Sequence, residues 1–295
     1  MAMRPEFVML VGVAGAGKST FARYLSKLRH YEICSSDAIR GELWGDESDQ
    51  REPNKVFRVM LQRTRAALSE GRSIIYDAAN IEEKYRLQIL QQISNYDCRK
   101  VCTVFIEHPE VCVARQDLRE RKVPEHVIWR QIRKFQTPHY CEGWDEIIIL
   151  NPHAYNDDNE VEEELKKVRN FDQKNPHHTL ALDEHMAIAG NYACECGYDT
   201  IVCNAAYFHD IGKVYTQIFD EKGIAHYYNH ENVGAYFYLL ITCGISKEAI
   251  DTSWLIVHHM DFFKGEQYMK KLRARVPEYL YTALEQLHDC DLKAH

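Results

Sequence analysis

The stretch "FVMLVGVAGAGKST", residues 7–20, decides the fold. Five apolar residues lead into a glycine-rich turn, and Gly12, Gly17, Lys18 and Ser19 fall in the spacing GxxxxGK[ST]. A buried strand that turns through small residues into a helix lets backbone N–H groups wrap a phosphate chain. The lysine then reaches the outer phosphates and the serine hydroxyl holds Mg²⁺. The expected nucleotide contacts are Gly12, Gly15, Gly17, Lys18, Ser19 and Thr20. The apolar run imitates a signal-peptide core, but it passes straight into "AGKST", which suits a phosphate loop better than a cleavage site.

Outward from this loop the apolar runs "YEIC", "SIIY", "KVCTVFI" and "EIIIL" alternate with stretches of helical length. That rhythm predicts an α/β domain over residues 1–151, with parallel strands joined by helical crossovers. After Leu150 the pattern stops. Residues 152–176 are polar, begin and end near Asn-Pro pairs, hold one short helical candidate around Val161–Arg169, and read as a linker. Residues 177–295 show helical segments, several ending at Gly, and predict an all-helical second domain. A chain of 295 residues suits two domains.

Residues 1–151 carry 23 basic and 21 acidic side chains, a balance of +2, while residues 152–295 carry 13 and 23, a balance of −10. Neither half has the field of a protein that coats nucleic acid. Eleven of the 15 histidines lie in the acidic half, a composition that suits divalent metal as well as a solvated acidic face. Ten scattered cysteines without a CxxC frame read as reduced, mostly buried thiols in a cytoplasm. No apolar run approaches the roughly 20 residues needed to cross a bilayer, so no membrane role is expected.

Three further segments bear on the loop. "CSSDAIRGE" sets Asp37 and Arg40 three residues apart, so a carboxylate able to accept a hydroxyl proton stands near a guanidinium able to clamp a phosphate. The same spacing suits an Asp N-cap with a surface arginine. "SIIYDAAN" ends a strand at Asp77, where it can order Mg²⁺ or its water. "ARQDLRERK" offers Arg115, Arg119 and Arg121 as a lid over ATP phosphates, the first two spaced for one helical face. Solvated basic residues also explain that run.

Together these residues resemble the phosphate-loop kinases of the polynucleotide kinase type, over nearly all of residues 6–150 including "SSDAIRGELWGDE", "YDAANIEEKYR" and "KFQTPHYCEGWDEI". The resemblance implies ATP, or another nucleoside triphosphate, with Mg²⁺, Asp37 as general base for a 5′-hydroxyl, and Arg40 on the acceptor's phosphate. It extends to small-molecule and sugar kinases, so the fold is better specified than the acceptor.

The second half contains "FHDIGKVYTQ", residues 208–217. His185, the adjacent pair His209-Asp210 and a late aspartate, Asp289 or Asp291, are ligand types that can converge from separate helices on one divalent metal. His230 and His259 can add a second metal or grip a phosphate. His258 and His288 taken singly suit ordinary core histidines. This stretch resembles the HD-domain metal-dependent phosphohydrolases over roughly residues 177–295. That likeness implies His185, His209, Asp210 and a late Asp as first-metal ligands, Lys213 as a phosphate contact, and Asp291 as the late ligand because the motif sets its Asp shortly before "xxAH". The ions implied are Mn²⁺, Ni²⁺, Co²⁺, Fe²⁺ or Mg²⁺, one or two per chain.

The expected architecture is an α/β P-loop kinase domain followed by an all-α HD domain. The pairing implies an RNA end-healing enzyme that phosphorylates RNA or DNA 5′-hydroxyl ends and removes 2′,3′-cyclic or terminal phosphates, with a separate RNA ligase as a partner. Two alternatives stay open: a nucleoside or sugar kinase linked to a nucleotidase, and a nucleotide sensor in which the second half gates the first.

Overall fold

A computed structural model describes residues 4–119, 122–152, 158–176, 179–242 and 246–294. The candidate lid residue Arg121, Cys243, and the expected domain start at 177 lie outside them. The Cα positions group into two compact units. One comprises Met1–Gln131 and Pro138–Leu150, the other Ile132–Thr137 and Asn151–His295.

In the first unit the contiguous apolar runs form the strands. β1 (Glu6–Val11), β2 (Glu32–Ser35), β3 (Ile74–Asp77), β4 (Arg99–Phe105) and β5 (Glu146–Leu150) pair in parallel in the order β2-β3-β1-β4-β5. The crossovers hold α1 (Lys18–Arg29), α2 (Ser36–Trp44), α3 (Pro53–Ser69), α4 (Glu83–Gln92), α5 (Pro109–Asp117) and α6 (Glu125–Ile132). β1 is buried along nearly its whole length because it lies mid-sheet with helices over it. The register sets Asp77 beside Leu10 of β1 and Ser35 of β2, at the strand ends from which the phosphate loop and α2 depart. Arg86 and Glu142 form a bidentate pair at 2.8 and 2.6 Å with both side chains essentially without exposure. Trp144 Nε1 donates to the same carboxylate at 3.0 Å.

The second unit contains α7 (Asp158–Lys166), α8 (Leu182–Glu195), α9 (Thr200–Phe208), α10 (Lys213–Thr216), α11 (His230–Ile241), α12 (Lys247–His258), α13 (Glu266–Arg273) and α14 (Glu278–Lys293). Every residue of α11 except Glu231 is buried, as a helix at the centre of a bundle requires. Asp199 caps α9 by accepting the Ile201 N–H at 3.0 Å, and Ser246 caps α12 by accepting the Ala249 N–H at 3.1 Å.

Three expectations change. The second unit is not all helical: β6 (Ile218–Phe219) and β7 (Ala225–His226) make a short antiparallel hairpin. Asp220 closes its turn by accepting the N–H groups of Lys222 and Ile224, both at 2.9 Å, a local cue too short to register as strand rhythm. Residues 152–176 do not behave as a free tether. Val168 is buried with Leu182, Met186, Ile211 and Ile241, and Phe171 packs against that cluster. The segment's polarity disguised its few apolar anchors. Finally, Ile132–Thr137, read as kinase sequence, groups with the second unit. There Phe135 packs edge-on to Tyr236, and the Thr137 and Ser253 hydroxyls lie 2.6 Å apart.

Candidate active sites

In the first unit a cleft of about 720 Å³ opens at the C-terminal ends of the strands. Its floor is the phosphate loop. Gly15, at φ 88°, occupies the left-handed region, and a Cβ there would meet the Cys112 carbonyl oxygen at 2.5 Å, so the loop admits only glycine. Gly17 precedes α1 and no side chain caps that helix, which leaves its first N–H groups for a ligand. Lys18 Nζ donates to the carbonyls of Gly12 and Val13 at 2.8 and 2.7 Å. Burial lowers its pKa, opposed by the Asp77 carboxylate; burial in turn raises the Asp77 carboxyl, opposed by Lys18 and the Ser19 hydroxyl. Ser19 and Asp77 face the same cleft and are the candidate holders of Mg²⁺.

Asp37 and Arg40 lie on the cleft wall, joined by a 2.5 Å contact between Arg40 Nη1 and Asp37 Oδ1. Asp37 is not the N-cap of α2: Ser35 is, accepting from Ala38 N–H. The carboxylate is thereby left in the first turn, where it faces the cavity. Arg40 is 6% exposed, and its Nε has no hydrogen-bond partner among the described residues.

The lid arginines part company. Arg115 donates to the Gly15 carbonyl at 2.9 Å and pairs with the buried Glu107 at 2.8 Å, so it braces the loop from behind. Arg119 does line the cleft, but from a turn beyond the end of α5 and not from the same helical face. The buried Gln116 side chain, in the last turn of α5, accepts the Val123 N–H at 3.3 Å.

In the second unit, α8 contributes His185, the end of α9 His209 and Asp210, α11 His230, the end of α12 His259, and α14 Asp291. The four imidazoles present Nε2 inward, and their other nitrogens face backbone carbonyls. His209 Nδ1 lies 2.9 Å from Ala206 O, His230 Nδ1 2.7 Å from Tyr227 O, His259 Nδ1 2.7 Å from Ile256 O, and His185 Nδ1 3.3 Å from Ala294 O. A carbonyl can only accept, so each ring donates from Nδ1 and its Nε2 carries the lone pair. Yet His185 and His209 bring their Nε2 atoms to 3.1 Å, and His230 and His259 bring theirs to 3.2 Å. Two lone pairs at that distance need a cation between them.

Carboxylates surround the same points. Asp291 Oδ1 lies 3.1 and 3.3 Å from the Nε2 atoms of His185 and His209, and Asp210 Oδ2 lies 3.4 Å from each. Asp210 Oδ1 turns the other way, 3.1 Å from His230 Nε2 and 3.8 Å from His259 Nε2. Asp210 therefore joins two ligand groups, one of His185, His209 and Asp291, the other of His230 and His259. This donor set fits one or two divalent ions of hard or borderline character.

The electrostatics agree. Burial works against the charged form of His185, but hydrogen bonds with Asp210 and Asp291 outweigh it and push the ring up to about 9. Burial, with His230 and His209 nearby, holds His259 at about 3. Against burial, Lys213 and His209 keep the Asp210 carboxyl well below the ordinary range. Asp289 lies elsewhere, accepting from Tyr192 Oη at 3.1 Å. His258 bonds Asp261 at 2.6 Å, and His288 stacks on Phe262; neither joins the cluster.

Comparison with known proteins bears on the first unit. A family model described as an AAA domain matches residues 7–138. The chain carries a phosphate-loop kinase domain. The L-seryl-tRNA(Sec) kinase of Methanococcus maripaludis is 26% identical over 148 residues, covering 47% of this chain and 55% of the relative. The chain thus spans about half the length of that curated relative. Among solved structures, the Pnkp1/Rnl/Hen1 RNA repair complex contains a chain 23% identical at a TM-score of 0.42, covering 45% of each. A fungal RNA kinase is 16% identical at 0.39, over 56% of this chain and 45% of that one. A sugar kinase from Janibacter sp. HTCC2649 is 19% identical at 0.39, over 50% and 85%.

The kinase domain's cleft also holds residues that sequence reasoning passed over. Lys122, Arg130 and Gln131 line it, and Gln131 Oε1 accepts the Ala14 N–H of the phosphate loop at 2.7 Å. In the helical unit the missed residue is Gln173. It is 2% exposed, accepts from Lys213 Nζ at 2.9 Å and donates to the Leu180 carbonyl at 3.1 Å. Lys213 also reaches Asp210 at 2.6 Å. No spacing rule connects Gln173 to Lys213, 40 residues away. Among the described residues no helix is long and apolar enough to cross a membrane. Among the described cysteines, Cys34, Cys98, Cys102, Cys112 and Cys290 are buried, while Cys194 and Cys196 are exposed near the end of α8.

Proposed function

We propose that the chain is a bifunctional RNA end-healing enzyme. The kinase domain phosphorylates polynucleotide 5′-hydroxyl ends with ATP, and the His-Asp cluster removes 2′,3′-cyclic phosphate and 2′- or 3′-phosphate ends. The observation that supports this reading is the presence in one chain of two polar side-chain clusters of different chemistry. One is a cleft holding Lys18, Asp37 and Arg40; the other is a set of histidine lone pairs converging on Asp210. The curated relative named above acts on a tRNA-borne acceptor, which supports an RNA-linked substrate for the kinase half.

In the kinase step the acceptor hydroxyl gives its proton to Asp37 as its oxygen bonds the γ-phosphorus, and the bond to the β-phosphate oxygen breaks to release ADP. Arg40 holds Asp37 and places its guanidinium in the cleft wall for an acceptor phosphate. Lys18, the loop N–H groups and Arg119 offset charge on the transferring group. At the second site His185, His209, Asp210 and Asp291 would hold one divalent metal and His230 and His259, with Asp210, a second, which would supply Lewis acidity to water and to the phosphoryl oxygens. Lys213 adds an ammonium beside Asp210 for a phosphoryl oxygen. Opening a cyclic phosphate breaks one P–O bond to the ribose, and a second hydrolysis releases inorganic phosphate. The resulting 5′-phosphate and 3′-hydroxyl are the ends an RNA ligase joins.

The test is mass spectrometry of both ends of a short RNA bearing 5′-hydroxyl and 2′,3′-cyclic phosphate termini, with ATP and Mg²⁺, Mn²⁺, Ni²⁺ or Co²⁺. Lys18→Ala is expected to abolish 5′ phosphorylation alone, and Asp210→Ala to abolish 3′ phosphate removal alone. No change at either end under any metal rejects the reading.

A further inference from the structure

The cleft of the kinase domain has two sides that the topology keeps apart. β1 is central in the sheet order, so the phosphate loop after it lies over the middle of the sheet. The connection from β4 to β5 supplies Arg119 and Arg130 on one side, and the crossover from β2 to β3 supplies Asp37, Arg40, Pro53 and Phe57 on the other. With Asp37 as base, the second side is where the acceptor lies.

Phe57 is out of place for a structural residue. Its neighbours Val56 and Met60 on α3 have no exposure, as members of the core, whereas Phe57 is 38% exposed and lines the cleft. The same wall holds Arg40, 94% buried, whose Nε lacks a partner among the described residues. A flat apolar face and a cationic side chain lining one cavity suit an occupant with a flat ring at one end and an anion at the other. A terminal nucleotide has both; a sugar has no such ring. We propose that Phe57 is the surface on which the nucleobase of the acceptor's 5′-terminal nucleotide stacks, so that the cleft selects an acceptor bearing a base. This deepens, and rests on, the kinase half of the function proposed above. Stacking tolerates any base, because each presents a π-face, so little preference for base identity is expected.

The experiment compares a 5′-hydroxyl oligonucleotide with one whose first nucleotide is abasic, using the full chain as wild type, Phe57→Leu and Phe57→Trp. In the wild type the abasic end raises KM roughly ten- to a hundredfold. Phe57→Leu, which keeps apolar bulk, raises KM for the ordinary end by about the same factor and leaves KM for the abasic end and for ATP unchanged; Phe57→Trp retains wild-type discrimination. Equal KM for both ends in the wild type, or an equal loss on both ends in Phe57→Leu, overturns the stacking role while leaving the kinase reading intact. Phosphorylation of neither end by the wild type removes the polynucleotide reading and the stacking role with it.

Discussion

Replacing Gly212 by alanine tests how the helical unit builds its cluster. Gly212 precedes α10, and a Cβ there would stand 2.1 Å from the His230 carbonyl oxygen and 2.5 Å from the Gly234 nitrogen, both backbone atoms of α11. Reaching an ordinary contact of 3.4 Å demands a shift of about 1.3 Å between α10 and α11. Those segments carry Asp210 and His230, whose oxygen and nitrogen lie 3.1 Å apart across the second ligand group. Metal sites tolerate departures of only about 0.2 Å from ideal ligand distances, so the shift disables that group. Overpacking costs about 1–3 kcal/mol, at the upper end here because backbone must yield. A Gly→Ala change at an unstrained φ recovers at most about 1 kcal/mol by restricting the unfolded chain. The net expectation is a loss of about 2 kcal/mol from the helical unit, fewer metal ions per chain, no phosphate removal, and unchanged 5′-kinase activity. Elemental analysis after gel filtration, differential scanning calorimetry and the two end assays read these out. Gly234→Ala, whose Cβ meets neighbours at 3.3–3.4 Å, serves as the mild comparison. Wild-type metal content and melting in Gly212→Ala would refute the reasoning.

Arg86→Ala leaves Glu142 buried and uncompensated and is expected to cost the kinase domain about 3–5 kcal/mol in urea unfolding, whereas a double change to apolar residues of similar volume costs far less. Asp37→Asn keeps a hydrogen bond to Arg40 but cannot take the acceptor proton; a fall in kcat of about 10²–10⁴ with little change in ATP KM is expected, and activity near wild type removes Asp37 as base. Gln173→Ala frees Lys213 from a charge-assisted hydrogen bond, so KM for a 3′-phosphorylated end rises about tenfold or more while metal content holds; loss of metal instead would show that Gln173 supports the cluster itself. Chelation lowers the stability of the helical unit alone, by about 2.7 kcal/mol relative to metal at 100 times its dissociation constant, and re-addition of Mn²⁺ or Ni²⁺ restores it. A melting profile indifferent to chelator would remove the cation from the cluster.

The contiguous chemistry was legible in the chain. A phosphate loop needs its small residues, lysine and serine within eight positions, and a strand buried on both faces reads as an unbroken apolar run; residues 7–20 therefore announce both loop and sheet. Asp77 follows because it closes a strand, and Asp37 and Arg40 because they lie in the first turns of the helix that begins where β2 ends. The His-Asp pair at 209–210 was equally plain. Less was readable where function rests on polar residues in unremarkable surroundings: Gln173 fell within the segment read as linker, and no motif singled out Arg130 or Gln131.

Only the tertiary structure decided what depends on the rotation and approach of helices. Asp289 and Asp291 lie about 200° apart around α14, and the seating of that helix against α8 and α9 sends Asp291 to His185 and His209 while Asp289 meets Tyr192. The division of Asp210 between two histidine pairs likewise requires α10 and α11 to touch backbone to backbone at Gly212. Local sequence determines which groups can bind phosphate or metal, because their chemistry is intrinsic. Which of them meet is decided by packing, since the residues that share the cluster are up to 106 positions apart, from His185 to Asp291.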